Sequence, residues 1–277
     1  MSTRYGTYET LRFERDGDIG FLRLHRPDKL NSFTVAMWRE LREFGERVID
    51  DPDLRVLVVS GEGRAFSSGI DTTVFTGGGG ADQLDNDRPE THADPTVASI
   101  LRTQDAYTWL EEAPYPTIAS VHGYALGAGL QLALACDIRV FARGTQVGLL
   151  EHKYGILPDL GGTQRLPRVV GSGKAKELIW TAARIDAEEA YRIGLCERLV
   201  DADALEPESR ALAATIAAQQ PLAVRGAKRA VDAAGTLPVR EGLVVEAEAQ
   251  AVCLTSHDMR EAITAFIEQR APKYTAS

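Results

Sequence analysis

The 277-residue chain lacks the features that mark several protein classes. No apolar run approaches the roughly 20 residues of a membrane-spanning helix, and the first residues lack the apolar stretch of a secretory signal. A net charge of -9 argues against a broad surface for nucleic acid or anionic lipid. The three cysteines are widely spaced and fit no metal-binding pattern, so we interpret them as buried and reduced. Together these absences predict a cytoplasmic protein.

The apolar residues that are present alternate between strand and helix patterns, which predicts an α/β fold. Thr34 can cap a helix that runs from Val35 to about Ile49. Strands are predicted at 19–24, 56–59, 117–121 and 137–141. From about residue 186 the pattern is helical, at 187–193, 204–219, 221–234, 239–254 and 258–269, with a short strand-like interruption at Leu199 and Val200.

Residues 72–98 differ from the rest of the chain, because they contain four consecutive glycines at Gly77–Gly80 and a polar stretch. This composition predicts a mobile loop or a partly disordered segment. Its position leaves two interpretations open, a lid over a site or a tolerated surface insertion.

Two glycine-bearing turns follow predicted strands. The first is Ala65–Asp71, and the second, Gly123–Gly129, leads into an apolar helix that contains Gln131. A helix N-terminus offers unpaired N–H groups and the positive end of a dipole. If the two turns faced each other, they could hold a developing oxyanion between two backbone donors. Either turn alone is also explained as a tight strand-to-helix connection.

Glu151 follows the apolar run Val147–Leu150. Apolar surroundings raise the pKa of a carboxyl group towards the value that a general base needs near neutral pH. The alternative is a solvent-facing glutamate at the end of a strand.

The two turns, with Arg26–Asn31 before them and Gly161–Arg168 after them, resemble motifs of the enoyl-CoA hydratase/isomerase (crotonase) family, in the family's order. The resemblance covers about residues 8–274. It implies a crotonase-like spiral of ββα units with a C-terminal helical appendage: a core at 1–200 and an oligomerisation region at 201–277. It also implies a homotrimer or a dimer of trimers, with an acyl-CoA as substrate, no metal and no other cofactor, and no nucleic-acid or membrane partner.

The resemblance also assigns roles to residues. The backbone N–H groups of Ile70 and Ala128 would form the oxyanion hole, and Glu151 would be the catalytic acid/base. Four positions fall where the family contacts coenzyme A: Lys29 and Lys273 at phosphates, Ser68 and Asp71 near the adenine and pantetheine. Without the resemblance, each lysine is more simply interpreted as a solvated surface residue. His122 has no partner at a catalytic spacing and is interpreted as structural.

Two positions depart from the pattern of the family's hydratases. Gln131 is at the position where, by the resemblance, the hydratases have a second glutamate. An amide cannot exchange a proton at neutral pH. Asp159, eight residues after Glu151, resembles a catalytic aspartate of the dienoyl-CoA isomerases, although that branch has a third carboxylate at the position of Gln131. Asp159 could instead cap the helix that follows it.

A single carboxylate suffices to move a proton between C2 and C4 of a thioester, which favours Δ3,Δ2-enoyl-CoA isomerisation. A hydratase that uses Glu151 with a water held by Gln131, and a dienoyl-CoA isomerase that uses Glu151 and Asp159, are the alternatives. A non-catalytic acyl-CoA-binding protein is a third alternative, against which the presence of Glu151 argues.

Overall fold

The computed structural model describes residues 3–76 and 92–277. The strands are β1 Leu11–Asp16, β2 Ile19–Leu24, β3 Val56–Gly61, β4 Thr117–Val121, β5 Tyr124–Leu126, β6 Ile138–Ala142, β7 Gln146–Gly148, β8 Ile185–Asp186 and β9 Arg198–Val200. The α-helices are α1 Val35–Val48, α2 Thr73–Thr76, α3 Pro95–Glu112, α4 Ala128–Ala135, α5 Gly162–Val170, α6 Ser172–Thr181, α7 Ala187–Arg192, α8 Leu205–Ala217, α9 Pro221–Ala234, α10 Val239–Thr255 and α11 His257–Ile267.

The larger sheet has the strand order β1-β2-β3-β4-β6-β9. β1 is antiparallel to β2, and the other neighbours are parallel. A parallel sheet needs cover on both faces, and the side chains of β3 alternate accordingly. Val56 and Val58 pack with Leu212 and Ala213 of α8, whereas Leu57 and Val59 face the core formed with α1, α3 and α4.

The smaller sheet has the order β5-β7-β8. β5 begins three residues after β4 ends, inside the segment predicted as the second turn, and it pairs in parallel with β7. The predicted turn therefore contains a short strand, whose three residues were too few to give an alternating pattern. This pairing brings the residues that follow β7 next to the start of α4.

Most of the predicted elements are confirmed, within one or two residues at their ends. The Thr34 hydroxyl accepts a hydrogen bond from the Met37 N–H at 3.3 Å and caps α1 as expected. The predicted loop at 72–98 was wrong at its ends, because α2 lies within it and α3 begins at Pro95, capped by the Asp94 carboxylate. The four-glycine run and the rest of the candidate lid at 77–91 lie outside the described residues.

The C-terminal helices differ in how much of their surface they bury. α8 covers one face of the larger sheet, so the helical region begins with an element of the core. In contrast, α10 has no buried residue. Val239 is 79% exposed and Phe266 of α11 is 85% exposed. The predicted division at residue 200 stays a prediction.

The described residues contain neither a candidate membrane-spanning helix nor a candidate metal cluster. Within 3–76 and 92–277, no helix is long and apolar enough to cross a membrane. In the same ranges, no cluster of three or more His, Cys, Asp or Glu could hold a metal ion. The cysteines are free; Cys136 and Cys196 are buried as predicted, but Cys253 on the exposed helix α10 is half-buried.

Candidate active site

The two glycine-bearing turns lie side by side. Ser67 pairs with Ala125 as in a parallel ladder: the Ser67 N–H donates to the carbonyl of Tyr124 at 2.8 Å, and the Leu126 N–H donates to the carbonyl of Ser67 at 3.1 Å. This contact exists because β3 and β4 are adjacent and parallel, so that the segments after them leave the same edge of the sheet. Gly69, with φ +100°, makes the approach possible, since a Cβ there would lie 2.9 Å from the Leu126 carbonyl oxygen.

The backbone N–H groups of Ile70 and Ala128 belong to these adjoining turns. Among the described residues, neither N–H donates to a backbone carbonyl. Ala128 is the first residue of α4, so its N–H is one of the orphan donors of a helix N-terminus. The positive φ falls on Gly127 (+50°) instead of Ala128, so the alanine is not strained. Two adjoining backbone N–H groups without a backbone acceptor are the kind of donor pair that an oxyanion hole uses.

The pairing of strands in the smaller sheet positions Glu151 beside the second turn. Gly148 ends β7 and its carbonyl accepts a hydrogen bond from the Gly127 N–H at 2.8 Å. Three residues later, Glu151 opens a short 3-10 helix, with its side chain against Gly127. A Cβ at Gly127 would lie 3.1 Å from Oε1 of Glu151, so glycine is needed for this approach.

The environment of Glu151 suits a general base. The residue is 4% exposed. Gln131 Nε2 donates to Oε1 at 2.8 Å, whereas Oε2 is buried and has no hydrogen-bond partner among the described residues. Burial raises the pKa of the Glu151 carboxyl to about 7; the Gln131 hydrogen bond lowers it, and the charge of Asp159 adds to the rise. A carboxyl with a pKa near neutrality can both take and return a proton.

Asp159 is half-buried near Glu151, and burial raises the pKa of its carboxyl as well. Gln104 Nε2 of α3 donates to the backbone carbonyl of Asp159 at 2.5 Å. The predicted alternative role as a helix cap was wrong. The N-cap of α5 is Gly161, in the left-handed region at φ +95°, and no side chain caps it.

Three of the four residues assigned to coenzyme A lie at or beside the first turn. The Ser68 N–H donates to the carbonyl of Leu30 at 2.9 Å, so the exposed Lys29 is held next to this turn. Asp71 accepts from Arg26 Nη2 at 3.0 Å, and hydrogen bonds led by that of the Thr73 hydroxyl lower the pKa of its carboxyl to about 2. Asp71 is therefore an anion that holds the loop together.

The fourth residue, Lys273, lies elsewhere in the subunit. Its neighbour Tyr274 accepts a hydrogen bond through its carbonyl from Arg55 Nη2 at 2.8 Å. Arg55 precedes β3 and the first turn follows it, so a six-residue strand of about 20 Å separates the two ends. Within one subunit, the structure does not bring the exposed Lys273 to the first turn.

Two buried residues that no sequence motif indicated lie behind the second turn. The fully buried Tyr107 donates its hydroxyl to the carbonyl of Ala128 at 3.1 Å and accepts from Trp38 Nε1 at 3.2 Å. No local pattern marks either residue, because the contact joins α1, α3 and α4. His122 bonds the backbone carbonyl of Gly63 through Nε2 at 3.0 Å, which agrees with its structural interpretation.

Comparison with known proteins places this site in a family. The model of the enoyl-CoA hydratase/isomerase family matches residues 14–277. "Probable enoyl-CoA hydratase echA8" of Mycobacterium bovis is 38% identical over 271 residues, which cover 97% of this chain and 99% of that protein. The crystal structure of an enoyl-CoA hydratase from Bacillus anthracis is similar, with a TM-score of 0.87, 32% identity and coverage of 97% of this chain and 100% of that chain.

A third similar protein carries a ligand. A Thermobifida fusca protein in complex with acetoacetyl-CoA has a TM-score of 0.78 and 36% identity, covering 88% of this chain and 94% of that chain. The fold is therefore that of the crotonase-like acyl-CoA enzymes. The chain belongs to the enoyl-CoA hydratase/isomerase family.

Proposed function

We propose that this enzyme isomerises a Δ3-enoyl-CoA to the Δ2-enoyl-CoA by moving one proton through a thioester enolate. The N–H groups of Ile70 and Ala128 bind the thioester oxygen and stabilise the negative charge that develops on it. Glu151 removes a proton from C2, and the resulting carboxylic acid returns a proton at C4. No metal or further cofactor takes part; coenzyme A enters as part of the substrate.

The observation that carries this proposal is the pairing of one buried carboxylate with one amide. Glu151 has a raised pKa and a free oxygen, and the group beside it is Gln131, which neither takes nor gives a proton at neutral pH. Adding water across C2=C3 is easiest with two acid/base groups, and one positioned group is worth about 10²–10⁴-fold in rate. A proton shuttle between two carbons of one substrate needs only one.

Hydration is the second candidate function, favoured by the names of similar proteins, which are called enoyl-CoA hydratases. Here Gln131 would position the water and Glu151 would activate it. Dienoyl-CoA isomerisation is a third candidate, supported by the raised pKa of Asp159 close to Glu151. Binding of an acyl-CoA without catalysis fits least well, because a buried carboxylate that serves no reaction only destabilises the fold.

The proposal includes the assembly and the location that the sequence predicts. The exposed apolar residues of α10 and α11, among them Leu243 (54%) and Phe266 (85%), support an association of subunits. We propose the trimer or dimer of trimers that the resemblance implies. Because Lys273 lies far from the first turn of its own subunit, its proposed phosphate contact would be to a coenzyme A bound by a neighbouring subunit. We propose the cytoplasm as the location.

A panel of thioesters tests the proposal. The purified enzyme is assayed with 3-enoyl-, 2-enoyl- and dienoyl-CoA of the same chain length, and products are separated by chromatography. We expect the largest kcat/KM for the 3-enoyl-CoA. A larger value for hydration of the 2-enoyl-CoA would assign the enzyme to the hydratases, and a larger value for the dienoyl-CoA would assign it to the dienoyl-CoA isomerases.

A further inference from the structure

The amide of Gln131 is held at both ends. Nε2 donates to Oε1 of Glu151 at 2.8 Å, and Oε1 of Gln131 accepts from the N–H of Gly162, the first residue of α5, at 2.9 Å. All of these groups are buried. Gln131 therefore bridges the proposed base and a helix N-terminus.

The direction of the amide follows from its partners. A backbone N–H can only donate, so the amide atom that faces Gly162 must be the oxygen. The NH₂ group then faces Glu151. The flipped amide would place oxygen against a carboxylate oxygen and NH₂ against an N–H, losing both bonds, so the amide has one stable orientation.

Glycine at two positions makes space for the bridge. A Cβ at Gly162 would lie 2.9 Å from Oε1 of Gln131, and one at Gly127 would lie 3.1 Å from Oε1 of Glu151. Within that space, the hydrogen bond from Gln131 holds one carboxylate oxygen of Glu151. The other oxygen, Oε2, is buried without a partner among the described residues.

We infer that Gln131 is a positioning residue that ties down Oε1 of Glu151 and reserves Oε2 for proton transfer. The inference rests on the proposed function of Glu151 as the base. The bridge uses one N–H of Nε2 on Glu151 and the amide oxygen on Gly162. Gln131 acts through Glu151 and is not itself a proton carrier.

The inference makes a specific prediction for Gln131→Met, which keeps the length of the side chain and removes both hydrogen bonds. The amide stabilises the charged form of Glu151, so its loss raises the pKa of Glu151. A rise of one unit from about 7 lowers kcat/KM roughly five-fold at pH 7 and by less than about 1.2-fold at pH 9. A merely structural defect would lower the rate by the same factor at every pH.

The experiment records the pH dependence of kcat/KM with the best thioester, together with an infrared titration of the protonated carboxyl band that disappears in Glu151→Gln. We expect both the acidic limb and the infrared midpoint to move upwards in Gln131→Met. The control is Gln219→Met, which changes an exposed glutamine just after the end of α8 whose side chain donates to the carbonyl of Thr215, and both quantities should stay at the wild-type values. An unchanged midpoint in Gln131→Met would overturn the inference.

A second variant covers the case in which Gln131→Met does not fold. Gln131→Glu keeps an acceptor for the Gly162 N–H, and its carboxyl can donate to Glu151 only while protonated. We expect a bell-shaped pH profile, since activity requires one proton on the pair. A profile identical to that of the wild type would overturn the inference. The infrared titration needs no substrate, so a failure of the proposed reaction and a failure of this inference are distinguishable.

Discussion

Replacing Glu151 by glutamine should make the protein more stable at alkaline pH while abolishing most of its activity. The folded-state pKa of Glu151, about 7, lies above its ordinary value of 4.5, because burial disfavours the charged form. The folded state therefore binds the proton more tightly than the unfolded state does. This contribution to stability is complete below pH 4.5 and is lost as the pH rises through 7. The difference of 2.5 units corresponds to roughly 3 kcal/mol of unfolding free energy.

The assay is urea unfolding of the wild type and Glu151→Gln at pH 4.5, 6, 7 and 8, at one protein concentration. Glutamine has no charge to bury, so its stability advantage should grow by roughly 3 kcal/mol between pH 4.5 and pH 8. Glu246→Gln, at an exposed position of α10, is the matched control and should show no growing advantage. If the advantage of Glu151→Gln is the same at every pH, then Glu151 is not a destabilised buried carboxyl and the reasoning is refuted.

The same variant should lose activity. Without its acid/base group the enzyme should have a kcat about 10²–10⁴-fold lower on the best thioester, with a far-ultraviolet circular dichroism spectrum like that of the wild type. Turnover close to that of the wild type would remove Glu151 from the mechanism.

The remaining predictions concern three other positions. Gln131→Glu adds a second acid/base group and should raise hydration of a 2-enoyl-CoA relative to isomerisation; a wild type that already hydrates crotonyl-CoA faster than it isomerises a 3-enoyl-CoA would contradict this. Asp159→Asn should move the acidic limb of the pH profile of kcat/KM to lower pH, because the charge of Asp159 contributes to the raised pKa of Glu151. A limb at the same pH would show that the two carboxyls do not interact. Lys273→Ala should raise KM for the thioester more than it lowers kcat, and more so at low salt; an unchanged KM would mean that Lys273 contacts no phosphate.

Much of the fold could be predicted from sequence because its strands are short continuous apolar runs and its helices have local caps. β4 at Thr117–Val121 was predicted to the residue, and all five of its residues are buried. α1 was predicted from its Thr34 cap and its apolar spacing. α3 was missed because its buried face includes Ser99, Arg102 and Thr103, so that the face has no apolar periodicity.

The candidate site was harder to predict, since its contacts join distant segments. The contact between Glu151 and Gln131 depends on the pairing of β5 with β7 and on where α4 begins. The residues next to Glu151 and Gln131 in the sequence indicate neither feature. The role of Asp159 could not be decided from spacing alone, because a capping residue is identified by backbone geometry at Gly161. The position of Lys273 depends on a C-terminal segment that is tied to Arg55.

The central claim is that one carboxylate, Glu151, carries a proton between two carbons of the same substrate. The most direct test incubates a 3-enoyl-CoA with the enzyme in D₂O and determines the mass of the products. A single buried base returns part of the proton that it removed, so we predict a 2-enoyl-CoA that has gained less than one deuterium per molecule. If the main product is instead a 3-hydroxyacyl-CoA that has gained the elements of D₂O, the enzyme adds water and the account is contradicted.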